Sequence, residues 1–356
     1  MAIGNAQHAE TIQRLWPELT TNPELHFHSL DARREAGLLV QMPKGAYRAA
    51  SFLDGRTFDA QSVGCWVPLE SIRKTVLEAP APRTPLHFIF HMGHTGSTLL
   101  SRLLDESGIV HSLREPLVLR EWSELHDTRG QPFALLSPDR IDATKEVMLR
   151  LWSRCPDGAQ TVIVKATSTA ARVSVPLMAA RETAQAVYLD MAPEPWMAAI
   201  LATPPPHMDL RGHAEERIRR LIAHLGGLPK PLWSMNLGEL VAASWLAEAL
   251  TRERLRSFSG PRLLVLDFDK FLADVPAKLE RVLAHFGLPD GSEEVERLAG
   301  SPVLGQYSKA PEHVYSKDLR RQLIDQSRRQ HGAEIGKGMA FLAAIAKQHP
   351  RVGELI

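Results

Sequence analysis

The residues with the clearest chemical signal form a short polar turn, Gly93-His94-Thr95-Gly96-Ser97-Thr98. The turn follows an apolar run, Leu86 to Phe90, that is typical of a buried strand, and it precedes leucines at helical spacing. A glycine-bearing turn at the start of a helix can direct several backbone N–H groups, and the positive end of the helix dipole, at one anion. Because three hydroxyl side chains can add donors, the turn predicts a cradle for a phosphate or sulfate group.

The turn lacks the lysine of the Walker motif. In that motif a lysine stands before the Ser or Thr that ends the loop, whereas here Ser97 stands before Thr98. An ordinary nucleoside triphosphatase is therefore disfavoured. A Mg²⁺-dependent phosphotransferase is an alternative, in which Ser97 or Thr98 and Asp267 would hold the ion. Metal dependence would separate such an enzyme from one that needs no metal.

Strand-like apolar runs recur along the chain, and helical segments lie between them. This alternation predicts βαβ crossovers and therefore a P-loop-like, three-layer α/β/α fold around a central parallel sheet. Ligands bind such sheets at the carboxyl ends of the strands. His94, Glu115 and Lys165 each stand where a run ends, so we expect them to converge on one cleft. The runs are 86–90, 109–115, 161–165, 186–189 and 262–269.

The central motif divides the chain into three parts. Residues 1–80 mix helical and strand-like patterns before three prolines at 80, 82 and 85, and they predict a small N-terminal α/β module with no assigned role. Within it, 47–53 is expected to be a strand and 66–77 a helix. Residues 81–300 form the predicted core. Residues 301–356 are expected to be a basic helical tail that covers the site.

Composition limits the partners and the location of the protein. Its 356 residues are 44% hydrophobic and its formal net charge is +1, so neither nucleic acid nor a membrane surface is an expected partner. No apolar run is long enough to span a bilayer and no secretion signal is evident, which predicts a cytoplasmic protein. Cys65 and Cys155 have no metal or redox spacing, and His26 and His28 have no third ligand nearby, so no metal site is predicted.

The turn resembles the 5′-phosphosulfate loop of the sulfotransferase family, which reads Pro-(Lys/Arg)-Ser-Gly-(Thr/Ser)-Thr-Leu-Leu after a strand. In this sequence the loop is Gly93 to Leu100, with His94 where the family has a lysine or arginine. The resemblance covers residues 85–310. It implies metal-independent transfer of a sulfuryl group from 3′-phosphoadenosine 5′-phosphosulfate (PAPS) to a hydroxyl or amine of a small-molecule or peptide acceptor. The product of the donor would be adenosine 3′,5′-bisphosphate (PAP).

The resemblance also implies roles for individual residues. The six residues of the turn, Gly93 to Thr98, would bind the donor. Glu115 matches the catalytic base of tyrosylprotein sulfotransferases, and Lys165 matches a strand-end lysine beside the transferred group in cytosolic members. His94 is either a proton donor to the leaving group or a hydrogen-bonding residue of the loop. The alternative to base catalysis by Glu115 is an ion pair with Arg114 or Arg120.

One departure from the family concerns the 3′-phosphate of the donor. Most sulfotransferases hold it with an Arg-Asp-Pro sequence after a strand and with a serine further on, but here Met191 and Ala199 stand at the Arg and Ser positions. One possibility is that another basic residue replaces them, either Lys309, which we predict to bind the donor, or Arg211 or Arg320. A second possibility is that the donor is not PAPS. A third is that the protein binds a nucleotide without catalysis.

Overall fold

Two β-sheets organise the chain, and helices surround them. The computed structural model describes residues 4–43, 45–59, 61–156, 158–202, 207–307 and 315–356. The strands are β1 (Leu25–Asp31), β2 (Ala36–Gln41), β3 (Val63–Pro68), β4 (Leu86–His91), β5 (Val110–Arg114), β6 (Thr161–Lys165), β7 (Ala186–Asp190) and β8 (Leu263–Asp267). The helices are α1 (Ala6–Leu15), α2 (Ala46–Ala49), α3 (Leu69–Glu78), α4 (Ser97–Asp105), α5 (Leu117–Asp127), α6 (Pro138–Trp152), α7 (Ser174–Ala179), α8 (Pro193–Leu201), α9 (His207–Gly212), α10 (Ala214–Leu225), α11 (Leu237–Ser259), α12 (Phe268–Ala273), α13 (Val275–Phe286), α14 (Ser292–Ala299), α15 (Lys317–Gln348) and α16 (Pro350–Gly353).

The larger sheet has five strands in the order β5-β6-β4-β7-β8, and every neighbouring pair is parallel. Every residue of β4, β6 and β7 is buried. Because successive side chains of a strand point to opposite faces, both faces of the sheet are covered by helices. The expected three-layer α/β/α fold with a central parallel sheet is therefore confirmed. The central strand, β4, leads directly into the polar turn.

The N-terminal residues form a separate antiparallel sheet in the order β1-β2-β3. Two local predictions for this part are wrong. Residues 47–53 are not a strand, because the chain forms the short helix α2 and then a loop. Residues 66–77 are not all helix, because Trp66 and Val67 pair with β2 and the helix begins only at Leu69.

A buried arginine joins this N-terminal sheet to the core. Arg154, which follows α6, donates to the carbonyl oxygens of Leu19, Asn22 and Leu25 at 2.7, 2.6 and 3.0 Å. These carbonyls lie just before β1 and at its start. The guanidinium thus satisfies backbone groups at the entry to the N-terminal sheet, and the sheet has a defined place against the core.

The C-terminal helix α15 packs closely against α8 and α11 and is kinked at His331. Close approach is possible because two glycines face each other at the crossing. A Cβ atom at Gly338 would lie 2.7 Å from the Gly238 carbonyl oxygen and 2.9 Å from the Met197 sulfur. On the other side of the kink, Arg320 in the first turns of α15 contacts Met191, the residue after β7. Within the described ranges, no helix is long and apolar enough to cross a bilayer.

Candidate functional site

A cavity of about 1110 Å³ lies where the carboxyl ends of the parallel strands meet. Its wall includes the polar turn after β4, Glu115 after β5, Thr167 and Ser168 after β6, and Phe268 after β8. Tyr315, Ser316 and residues in the first turns of α15 complete it. The structure thus brings His94 and Glu115, which were singled out from the sequence, to one cavity.

The turn after β4 adopts a left-handed backbone at three positions. The φ angles of Gly93, His94 and Gly96 are +86°, +55° and +66°. Glycine adopts such angles without strain, whereas a residue with a Cβ atom, such as His94, does so at a cost. Gly96 is also required for space, since an added Cβ atom would overlap the ring of Phe268. This glycine therefore lets the turn fold and lets Phe268 pack against it.

His91, the last residue of β4, fixes the start of the turn. Its Nε2 lies 2.9 Å from the Ala166 carbonyl oxygen, and its Nδ1 accepts a hydrogen bond from the Gly93 N–H at 3.0 Å. Because a carbonyl only accepts, Nε2 carries the proton. The Gly93 carbonyl in turn accepts from Trp196 Nε1 at 2.8 Å. Both polar groups of Gly93 are used within the protein, so its part in this structure is to shape the turn and not to donate to an anion.

The N-terminus of α4 has the properties of an anion site. No side chain caps it, so the first N–H groups of the helix, which have no partner inside the helix, stay available. Ser97 and Thr98 are buried there, and in the described part of the chain Thr98 Oγ1 makes no hydrogen bond. Thr95 differs, because its hydroxyl donates to the Leu189 carbonyl oxygen at 3.3 Å. A buried hydroxyl without a partner is costly, and a phosphate or sulfate oxygen would supply one.

Glu115 forms an ion pair with Lys165 across the ends of β5 and β6. The Lys165 side chain is 1% exposed and that of Glu115 is 16% exposed. Glu115 lines the cavity and Lys165 does not, so the lysine lies behind the carboxylate. Lys165 therefore makes no direct contact with the cavity in this structure, contrary to its expected place beside the transferred group. Glu115 also has a positive φ of +51°, and its N–H donates to the Lys165 carbonyl oxygen at 2.7 Å.

Among the residues that the structure describes, Glu115 forms its ion pair with Lys165 and not with Arg114 or Arg120. The buried Arg114 guanidinium points away from the cavity, pairs with Asp105 and donates to the carbonyl oxygens of Tyr47 and Ala50, both at 2.9 Å. Those carbonyls belong to the N-terminal module. Arg114 thus holds the module against β5, and Glu115 pairs with Lys165 instead.

A loop of the N-terminal module lies beside Glu115, and we call residues 50–58 the strap. The Leu53 N–H donates to the Arg114 carbonyl oxygen at 2.7 Å, and the Leu53 carbonyl accepts from the Leu117 N–H at 3.0 Å. Because these bonds lie on both sides of Glu115, the strap supports its left-handed backbone. Two strap residues, Phe52 and Arg56, line the cavity.

Arg320 of α15 lies beside Met191, the position where an arginine was missing. Its Nη2 is 3.8 Å from the Met191 sulfur, and its Nη1 is 2.7 Å from Asp269 Oδ1. The guanidinium carbon is 5.1 Å from the centre of the Phe268 ring, and the side chain is 15% exposed. A cation from the C-terminal helix is therefore present at the cavity wall where β7 supplies none.

The other residues considered for the 3′-phosphate are placed differently. Ala199 lines the cavity but has no group that binds a phosphate. Arg211 is exposed and does not line the cavity. Lys309 lies outside the described residues. Of the three basic candidates, Arg320 is the one that the structure places at the site.

One residue proposed for a magnesium site, Asp267, is otherwise engaged. The Asp267 carboxylate accepts a hydrogen bond from the Lys270 N–H at 2.8 Å and so caps α12. In the ranges that the structure describes, no group of three or more His, Cys, Asp or Glu residues is arranged to hold a metal ion. The cap that Asp267 provides weighs against the Mg²⁺-dependent phosphotransferase, in which this carboxylate would hold the ion.

Several cavity residues, among them Phe268, His91, Phe52 and Arg56, were not identified from the sequence. Phe268 follows a strand, so its position at the carboxyl end of the sheet was a signal that could have found it. His91 resembled an ordinary strand residue. Phe52 and Arg56 carry no local signal, because only the packing of the N-terminal module brings them to the site.

Several solved structures to which the chain is similar are sulfotransferases. The sulfotransferase domain from the curacin biosynthetic pathway is 14% identical over 71% of this chain and 99% of that chain, with a TM-score of 0.40. The sulfotransferase from Alicyclobacillus acidocaldarius is 16% identical over 71% of this chain and 96% of its own, with a TM-score of 0.39. Sulfotransferase STF9 from Mycobacterium avium is 13% identical over 92% of this chain and 97% of its own, with a TM-score of 0.40. No protein-family model and no curated protein matches the sequence. At these scores the likeness carries no weight for the site, whose chemistry depends on its own residues.

Proposed function

We propose that the protein transfers a sulfuryl group from PAPS to a hydroxyl or amine of an acceptor. The observation that carries this proposal is the place of Glu115. Its carboxylate faces the same cavity as the uncapped start of α4, and a buried lysine balances its charge. A carboxylate beside an anion cradle is the arrangement that a group transfer with removal of an acceptor proton requires.

The cradle and Arg320 support PAPS as the donor. When bound, the donor supplies the sulfuryl group and a bisphosphate leaving group, and such transfers depend mainly on positioning and charge stabilisation. The N–H groups at the start of α4 and the Thr98 hydroxyl would hold the phosphosulfate. Arg320 would hold the 3′-phosphate in place of the residue missing at Met191. His94, at the same cavity wall, would complete the cradle.

Glu115 would take the acceptor proton. It has the exposure to reach the cavity, and the hydrogen bonds around Leu53 fix its backbone. Lys165 acts through Glu115, as a positioning residue that orients the carboxylate and compensates its charge. A carboxylate held in this way contributes general-base catalysis of about 10²–10⁴-fold.

A thermal-shift titration with PAP, beside ATP with and without Mg²⁺, tests the proposal. A ligand at about 100 times its dissociation constant stabilises the folded protein by about 2.7 kcal/mol, which is readily measured. We expect a shift with PAP that needs no metal. Thr98→Val should reduce it, because this change removes the hydroxyl and keeps the shape.

Thr144→Val is the matched control, since Thr144 is buried in α6 and does not line the cavity. Its hydroxyl donates to the Arg140 carbonyl oxygen and accepts from Arg73 Nη2 at 3.5 Å. This variant should bind PAP as the unmodified protein does. A shift with Mg·ATP alone would favour the phosphotransferase. The absence of any shift with PAP would overturn the proposal.

A further inference from the structure

The strap holds the Arg56 guanidinium in a fixed position at the cavity wall. Asp54 accepts from its Nε at 2.9 Å and from its Nη2 at 2.5 Å, which is a two-point contact with one edge. The guanidinium carbon lies 3.6 Å from the centre of the Phe52 ring, which covers one face of the cation. The pKa of Arg56 is raised, first by the hydrogen bond to Asp54 and also by the charges of Asp54 and Glu115.

The remaining edge of this guanidinium is available to a ligand. In the described part of the chain Nη1 makes no hydrogen bond, and the Arg56 side chain is 63% exposed although it lines the cavity. An arginine gripped at one edge and stacked on a ring loses little conformational entropy when its other edge binds a carboxylate or a similar planar anion. The arrangement is thus preorganised for an anion.

Arg56 belongs to the part of the cavity where the acceptor must bind. Its stacking partner Phe52 has its ring centre 5.7 Å from Lys165 Nζ, and Lys165 pairs with Glu115. The donor contacts proposed above come from other elements, namely the start of α4 and Arg320 of α15. The strap therefore adjoins the base and is not an element of the donor cradle.

We propose that Arg56 is a specificity-determining residue that binds an anionic group on the acceptor. The acceptor then carries a carboxylate or comparable anion besides the hydroxyl or amine that receives the sulfuryl group. This inference rests on the proposed function, because it assumes that the molecule beside Glu115 is an acceptor.

A matched pair of probes tests it. 4-Hydroxybenzoate and 4-hydroxybenzamide have the same size and the same hydroxyl, and only the first is an anion. Their binding to the complex of the protein with PAP is measured by isothermal titration calorimetry, and PAP binding is measured separately. We expect 4-hydroxybenzoate to bind at least about tenfold more tightly, the worth of one charge-assisted hydrogen bond.

Arg56→Gln should abolish this preference and leave PAP affinity unchanged. Arg48→Gln is the control, since Arg48 is an arginine of the same module that is 60% exposed, pairs with Glu106 and does not line the cavity. It should keep the preference. Equal affinity for the two probes in the unmodified protein, including no binding of either, would overturn the inference.

Weaker PAP binding in Arg56→Gln would also overturn it, because Arg56 would then belong to the donor site. These failures leave the proposed function standing as long as the unmodified protein binds PAP. If PAP itself does not bind, the proposed function fails, and the two failures are thus distinguished.

Discussion

Glu115 is bound twice to Lys165, once through the ion pair of their side chains and once through the Glu115 N–H, which donates to the Lys165 carbonyl oxygen at 2.7 Å. The second contact requires the left-handed backbone of Glu115, with φ at +51°. Together the two contacts turn the carboxylate toward the cavity and cover the lysine. The chemistry proposed for the site and the stability of this edge of the sheet therefore depend on the same pair.

Removing one member of this pair should destabilise the fold. Glu115→Ala removes one carboxylate from the Lys165 ammonium, which is 1% exposed, and the loss of one member of a buried ion pair costs about 3–5 kcal/mol. The double variant Glu115→Ala with Lys165→Met should recover most of that loss in urea denaturation. Glu215→Ala, at an exposed pair with Arg219, should change the free energy of unfolding by less than about 1 kcal/mol. A double variant no more stable than Glu115→Ala would contradict this account.

Gly96→Ala should strongly destabilise the fold, for two reasons that can be separated. The added Cβ atom strains a backbone with φ at +66° and overlaps the Phe268 ring. Strain and overpacking of this kind together cost about 2–5 kcal/mol. Gly108→Ala is the control for strain alone, since Gly108 has φ at +78° and open space around its Cβ position. Thermal unfolding should show a larger loss of stability for Gly96→Ala than for Gly108→Ala. The double variant Gly96→Ala with Phe268→Ala should lose less stability than the sum of the losses of the two single variants. If the two stability losses were strictly additive, the overlap of the added Cβ atom with the Phe268 ring would not contribute to the effect of Gly96→Ala.

Arg320→Gln should weaken the binding of PAP and leave that of adenosine 5′-phosphate unchanged. The two nucleotides differ in the 3′-phosphate, for which Arg320 is proposed. Loss of a hydrogen bond to a charged group costs about 1.5–3 kcal/mol, so the dissociation constant for PAP should rise by about 10–100-fold. Calorimetric titration measures both affinities. Arg321→Gln, which changes an exposed neighbour outside the cavity wall, should alter neither. An equal loss for both nucleotides would place Arg320 away from the 3′-phosphate.

Stability should fall as the pH is lowered below the ordinary range of histidine. Burial lowers the pKa of His87 and of His111 to about 4, and His87 Nδ1 accepts from the Gln185 N–H, which only a neutral ring can do. Below pH 6.5 the unfolded chain binds protons that the folded chain does not, so the free energy of unfolding falls with decreasing pH. The expected slope is about 1.4 kcal/mol per pH unit for each ring, down to about pH 4.

Urea denaturation at several pH values between 7.5 and 5 measures this slope. His111→Phe should reduce it, because one titrating ring is removed and the edge contact with Tyr47 can be kept. An unchanged slope in His111→Phe would show that other groups cause the pH dependence.

The parallel sheet was predictable because its signals are local. The run 161–165 is apolar and β-branched and forms β6 with the same bounds, since a strand buried on both faces needs little beyond its own residues. The polar turn was equally visible, because glycines, hydroxyls and the change of period all lie within one short stretch. The end of each run then located Glu115 and Lys165.

The rest depended on contacts between distant parts of the chain. Trp66 looked helical but forms a strand, because β2 is available to pair with it. Arg56 reaches the cavity because Arg114 and Leu53 join the N-terminal module to β5. Arg320 lies beside Met191 because α15 packs against α8, where Arg328 pairs with Glu194. None of these relationships has a signature in any single window of the sequence.

The most direct test of the central claim is transfer of labelled sulfur from [³⁵S]PAPS. The purified chain is incubated with the donor and with small-molecule acceptors that carry a hydroxyl or amine, and labelled product and PAP are quantified together. We predict equal amounts of both without added metal, and a rate at least about 100-fold lower for Glu115→Gln with PAP binding intact. Transfer by Glu115→Gln as fast as by the unmodified protein would contradict the account. So would an unmodified protein that binds PAP but never forms it from PAPS with any acceptor.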